Sequence, residues 1–324
     1  MLNRRAGSPR PAAGERASRA SWKRRALPAL LVSFVLLALV VLIARPLTVG
    51  AANKSPLAAA KHHHRIHFFK PHHTRSVVAS GNNLVYGGGP VMSGTAQVYL
   101  IFWEPTGSTV SATYNDLITR YFQDVGGTGL YNNNTQYTDS SGGVPGNASL
   151  AGSWVDTSSY PSTSLSDGDV QNEVSKALTT NGWTSDVTHI FFVFTAKDEN
   201  ICDSSQCSFS SFCAYHSYFG TNTVYAAMPY AGTNLSVCGT PGSPNNDADA
   251  DATINVTSHE QMEAATDPLL NAWIDSSGQE IVDKCAWNFG TTNADGSNVS
   301  WNGHPYLVQQ EWDNAQSGCV LSGP

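Results

Sequence analysis

A mixed α/β (α+β) domain, with one sheet backed by helices and tied by disulfides behind an N-terminal membrane segment, is the fold the sequence predicts. Three observations predict it. Residues 97–103 and 189–195 are apolar runs too uniform to leave one face wet, so both read as buried strands. Around them, apolar residues recur at helical spacing and stop at glycines. All six cysteines fall after residue 200, which suits an oxidising compartment and internal bridges.

The chain begins with a basic flank. Residues 1–25 carry eight Lys or Arg against the single acid Glu15 and read as a cytoplasmic tail. Residues 26–44 are uncharged and apolar apart from Pro28 and Ser33, about the length that spans a bilayer. A basic flank before such a run places the remainder of the chain outside. Two outcomes fit. One is an uncleaved signal-anchor, giving a single-pass cell-membrane protein with an extracellular C-terminal domain. The other is a signal peptide cut near Val49-Gly50-Ala51, giving a secreted protein. Residues 45–80, with Lys61-His62-His63-His64-Arg65, His67 and His72-His73, read as a histidine-rich linker, either a solvated spacer or a tract that binds metal.

Residues 81–324 are expected to form one extracellular α/β domain. From Val77 onward the only bases are Arg120, Lys176, Lys197 and Lys284, while every acid except Glu15 lies there. The net charge of −7 for the whole chain hides that acidic balance, which argues against a nucleic-acid partner. After the strand at 97–103, Tyr114, Leu117, Ile118, Tyr121, Phe122 and Val125 mark a helix closing at Gly126-Gly127. Residues 132–149, rich in Ser, Gly and Asn, read as loop or weak hairpin. A second helix carries Val170, Val174, Ala177 and Leu178 and stops at Gly182. Residues 223–230 read as a strand near an edge, because Pro229 cannot donate to a ladder. Residues 280–285 and 306–312 read as the last strands. Cys285–Cys319 is the preferred bridge, leaving Cys202, Cys207, Cys213 and Cys238 to pair among themselves.

The chemistry concentrates in Ser258-His259-Glu260-Gln261-Met262-Glu263. On a helix, His259 and Glu263 lie one turn apart and Glu260 projects beside them. Two ligands from one rigid turn, with a flanking base for a metal-bound water, are what a metal-dependent hydrolase needs. The familiar form is H-E-x-x-H. Here Glu263 replaces the second histidine, and carboxylate oxygens also ligate zinc. Zinc is therefore the expected cofactor and Glu260 the expected catalytic base. Thr257 or Ser258 is the expected cap of a helix of about three turns, stopped at Asp267-Pro268. If 280–285 is a strand, Ile281, Asp283 and Cys285 share an inward face, which makes Asp283 the third ligand and Glu280 its alternate. His216 is either a further ligand or a partly exposed loop residue. His304 and Tyr306 either stabilise a transition state or occupy an ordinary turn. Asp247, Asp249 and Asp251 resemble a calcium loop, but Ala252 and Ser258 stand where its glycine and closing glutamate belong, so calcium needs a looser site.

Several segments in order resemble the secreted phosphate-induced, or exordium-like, family of plants and its bacterial relatives. They are Asn83-Leu84-Val85-Tyr86, Val98-Tyr99-Leu100-Ile101-Phe102-Trp103, Val155-Asp156-Thr157, Leu165-Ser166-Asp167 and Cys213-Ala214-Tyr215-His216. Ser258-His259-Glu260, Glu263-Ala264, Asn271-Ala272-Trp273 and Glu280-Ile281-Val282-Asp283-Lys284-Cys285 complete the set. The resemblance implies an extracellular or wall-associated factor tied to growth, with no established catalytic activity. The element order also resembles the plan of zincin-type metallohydrolases, an analogy of fold alone. Two functions are therefore expected as alternatives. The first is an exported zincin-like zinc hydrolase acting on a peptide or cell-wall substrate. The second is a non-catalytic extracellular or cell-wall module that binds glycan or protein.

Overall fold

The computed structural model describes residues 66–72 and 82–324. The basic tail, the apolar run at 26–44 and the rest of the expected linker lie outside the described residues. Among the described residues, no helix is long and apolar enough to cross a membrane.

Six strands form the main sheet: β1 (His67–Phe69), β2 (Gly94–Trp103), β3 (Pro145–Asp156), β4 (His189–Thr195), β5 (Ala214–Phe219) and β6 (Thr223–Met228). Their spatial order is β1-β5-β6-β4-β2-β3. β3, β2, β4 and β6 are parallel; β5 is antiparallel to β6, and β1 is antiparallel to β5. Parallel strands need cover on both faces. Helix α1 (Tyr114–Asp124) and helix α3 (Ala248–Thr266) pack on one face, against Val98, Leu100, Phe102, Phe192 and Phe194. Helix α2 (Asp167–Asn181) covers the other, against Ile101, Phe191 and Val193. The apolar runs at 97–103 and 189–195 are thus split residue by residue between two cores, which is why neither alternates with polar residues.

Local chemistry sets the helix ends. Ser166 and Asp169 form a capping box at the start of α2, and Gly182 closes it in the left-handed region with φ 66°. The stop at Asp267 before Pro268 also appears. The three bridges are Cys202–Cys207, Cys213–Cys238 and Cys285–Cys319, the expected arrangement.

Several elements differ from expectation, each for a physical reason. Residues 132–149 are not simply loop, because β3 begins at Pro145 and pairs along the whole of β2. β6 is central rather than near an edge; it ends at Met228, so the missing N–H of Pro229 falls outside the ladder. Helix α3 starts ten residues before Ser258: the Asp247 side chain accepts from the Ala250 N–H, and Asp249 and Asp251 occupy the first turn, where acids suit the helix dipole. Thr257 and Ser258 are therefore interior, not caps. Residues 280–285 are not a strand. Cys285 N–H donates to the Val282 carbonyl and Ala286 N–H to the Asp283 carbonyl, curling Asp283–Cys285 into a 3₁₀ turn. The expected last strand at 306–312 is divided between two small ribbons, Val299–Trp301 with His304–Tyr306 and Glu311–Asp313 with Gly318–Val320. Finally, Ile66–His72 is not spacer: it carries β1, whose Phe69 is buried in the core.

Candidate metal centre

Helix α3 is buried from Ala250 to Thr266. A helix covered on every side is ordinarily apolar all round. This one instead buries His259, Glu260 and Glu263 completely. His259 Nε2 lies 3.0 Å from Glu263 Oε1 and 3.6 Å from Asp283 Oδ1. One donor atom from each member of this sequence-predicted trio falls within 4.8 Å of the other two. Asp283 reaches the helix from a turn, not from a strand. Its backbone N–H donates to Glu263 Oε1 at 3.0 Å, and the Cys285–Cys319 bridge holds the turn two residues later.

The alternates converge on the same place. His216 belongs to β5 and is fully buried, so it is not a partly exposed loop residue. Its Nδ1 is 3.1 Å from Glu260 Oε2 and 3.9 Å from Glu263 Oε2, and its Nε2 is 3.8 Å from Glu280 Oε2. Two further members lie outside the predicted ligand set. His67 on β1 places Nδ1 3.0 Å from Glu280 Oε2 and Nε2 2.5 Å from Asp283 Oδ2. Asp267, at the end of α3, accepts the N–H groups of Asn271 and Ala272 through Oδ1 and leaves buried Oδ2 without a hydrogen-bond partner. The signal for His67 was present as Ile66-His67-Phe68-Phe69, a strand-like run inside a basic, histidine-rich tract.

Three ligand sets satisfy the distances: His259–Glu263–Asp283, His216–Glu260–Glu263 and His67–Glu263–Glu280. Glu263 is in every one. Among the described residues, the ion pairs made by these carboxylates are all with imidazoles, not with Lys or Arg. His259 Nδ1, Glu260 Oε1 and Glu280 Oε1 are buried without a hydrogen bond, and no ion pair among the described residues reaches them. Orphaned polar atoms at this density are costly and call for a partner. Imidazole nitrogens and carboxylate oxygens together fit a divalent first-row ion such as zinc.

The protonation pattern follows from crowding. Burial opposes a charge on His259, but Glu263 and Asp283 outweigh it and raise the pKa to about 10. Burial is likewise overridden at His67, which Glu280 and Asp283 raise well above the usual imidazole range. At His216 burial wins and the pKa falls to about 4. Burial pushes Glu260 up to about 8 against the pull of His259 and His67, and its Oε2 lies 3.1 Å from His216 Nδ1. Glu280 and Asp267 are also raised by burial. Burial would raise Asp283 too, yet His67 and His259 hold it below the usual carboxylate range.

His67 and Asp283 are the least covered members, with side chains 20% and 17% exposed. A cavity of about 140 Å³ lined by Ile66, His67, Asp267, Leu270, Ile274 and Gly278 approaches the cluster from that side. His304 and Tyr306 both bind Asp124 of α1 at 2.6 Å, and Tyr306 also receives Arg120, so their polar atoms are engaged with α1. The acids of the calcium-like run diverge: Asp247 accepts from Ser111 and Thr113, Asp249 from Tyr230, and Asp251 from Ser243 and Asn245.

Comparison with known proteins finds two plant relatives. The chain is 24% identical over 292 residues to Protein EXORDIUM-like 3 of Arabidopsis thaliana, covering 74% of this chain and 84% of the relative. It is 24% identical over 288 residues to Protein EXORDIUM-like 5 of the same plant, covering 75% and 78%. These similarities support the exordium-like resemblance of the sequence. No protein-family model matches the chain, and no solved structure does.

Proposed function

We propose that the domain is an exported, zincin-like metal-dependent hydrolase acting on peptide bonds, held at the membrane through residues 26–44 or released by cleavage near Ala51. The observation that supports this reading most is the convergence of three histidines and three carboxylates on Glu263, with no Lys or Arg among their ion-pair partners in the described residues. His259, Glu263 and Asp283 hold zinc in this reading, with Glu280 and His216 as alternates. Zinc would supply carbonyl polarisation and acidify a bound water. Glu260 is the catalytic base. Its Oε2 is fixed by His216 at 3.1 Å, which leaves Oε1 free to take a proton at a set position. Substituting Glu260→Gln is expected to leave stoichiometric metal in place, measured by plasma mass spectrometry, while hydrolysis of a quenched-fluorescent peptide library falls at least about 100-fold. Undiminished turnover would remove Glu260 from this role.

A second reading has its own support. His259, Glu260 and Glu263 are all fully buried, and closed metal sites are ordinarily structural. A non-catalytic surface module binding glycan or protein would use such a site as a rivet. Metal that is present while the peptide library is untouched, with or without Glu260, favours the module.

A further inference from the structure

The edge of β5 is covered by a piece of chain that differs from the rest of the fold. β1 makes three register pairs with β5: His67 with His216, Phe68 with Tyr215 and Phe69 with Ala214. It is the N-terminal strand among the described residues, and β5 remains paired to β6 on its other side. The chain from residue 82 onward is therefore continuous without it. Alternate side chains enter two different environments. His67 is aimed at Glu280 and Asp283, while Phe69 stacks on His259 at 3.9 Å and on Trp287 at 4.7 Å between ring centroids. Phe68 turns to the opposite face, against Phe212 at 4.8 Å and Tyr215 at 5.5 Å. Backbone groups continue the contact: Cys213 N–H donates to the Phe69 carbonyl, Trp287 Nε1 to the Lys70 carbonyl and His72 N–H to the Val237 carbonyl. An extended strand with specific pockets for alternate side chains is the geometry of strand addition to a sheet edge.

We propose that the β5 edge is a docking groove for an extended peptide, and that Ile66–His72 occupies it in cis. The groove selects a hydrogen-bond donor or base facing Glu280 and Asp283, an aromatic residue next, and a second aromatic after it between His259 and Trp287. Tethering gives the cis segment an effective concentration in the millimolar range, so a free peptide displaces it poorly. That this groove is also where a substrate lies, with β1 holding the site closed, rests on the hydrolase reading. The docking does not.

The test uses the full chain, without added metal, and a fluorescent peptide of sequence Ile66–His72 as probe. In the double variant Phe68→Ala, Phe69→Ala the cis strand loses both aromatic anchors. The variant is expected to bind the probe saturably and at least about tenfold tighter than the unmodified chain. Probe binding is expected to restore slow hydrogen exchange at the Cys213 amide. Equal affinity for both chains, or a folded variant that ignores the probe, overturns the proposal. Should the variant fail to fold, exchange in the unmodified chain decides. The Cys213 amide is expected to exchange at least about 100-fold faster than the Val193 amide in β4, through local release of β1. Equal rates would make β1 an inseparable part of the core and overturn the proposal. Zinc found without probe binding defeats the groove alone, and probe binding without zinc defeats the hydrolase alone.

Discussion

Glu311 is a buried carboxyl whose protonation should make a share of this domain's stability fall as pH rises. Its side chain is 1% exposed, Oε2 receives Asn133 Nδ2 at 3.2 Å, and Oε1 has no hydrogen-bond partner. Burial raises its pKa from 4.5 to about 8. The sign follows from linkage: between those values the folded protein keeps a proton that the unfolded chain has released, so stability declines as pH rises from 4.5 towards 8 and then levels off. Between pH 5 and pH 8.5 the decline is about 4 kcal/mol at most, and relaxation around the site would reduce it to about 2. Glu311→Gln keeps the shape and cannot ionise. Urea unfolding with disulfides intact, at both pH values, isolates the effect, because other titrating groups cancel between the two proteins. The variant is expected to match the unmodified chain within about 1 kcal/mol at pH 5 and to exceed it by about 2–4 kcal/mol at pH 8.5. A gap that does not change with pH would show that Glu311 is ionised and paired, and the burial argument would fail.

Two further outcomes follow from the frame around the cluster. Removing the Cys285–Cys319 bridge by double serine substitution frees a 34-residue separation and is expected to cost about 3–4 kcal/mol of stability, read by denaturant unfolding; a loss below about 1 kcal/mol would mean the Asp283 turn is held by its other contacts. Gly182→Ala forces a side chain onto φ 66° at the end of α2 and is expected to destabilise by about 1 kcal/mol, read as a lower thermal midpoint, whereas an unchanged midpoint would show that the cap relaxes freely.

What the sequence made legible was whatever one physical rule controlled. Uniform apolarity at 97–103 could mean only a strand covered on both faces, and Gly182 after a helical repeat could mean only a stop. The 280–285 segment obeyed two rules at once. Alternation of Ile281, Asp283 and Cys285 suggests a strand, yet the carbonyl of Val282 is taken by the Cys285 N–H, and a turn results. Asp283 still faces His259 and Glu263, but from a turn and not from a strand. In helix α3, Thr257 and Ser258 look like caps, whereas Asp247, ten residues before Thr257, has the real capping contact. His67 was hidden by its neighbourhood. Lysines and histidines on either side give a spacer composition, and only pairing with β5, far along the chain, makes it structural.

The charge imbalance around Glu263 forces a choice that chelation can expose. An uncompensated buried carboxylate costs several kcal/mol, so the cluster must be neutralised either by protons or by a divalent ion. Protons alone would make folding stability indifferent to metal. An ion bound only by the folded state adds RT ln(1 + [L]/Kd), about 2.7 kcal/mol at a hundredfold excess over Kd. For a domain this size that amounts to a rise of about 5–10 °C in the thermal midpoint. The gain is expected with zinc after chelator treatment. It should be largely absent in Glu263→Gln, because Glu263 is common to all three ligand sets. It should survive in Glu260→Gln if His259–Glu263–Asp283 is the set that binds, because Glu260 is not part of that set. If zinc leaves the unmodified midpoint where the chelator put it, protons alone neutralise the cluster, and neither the hydrolase nor a metal-riveted module can stand.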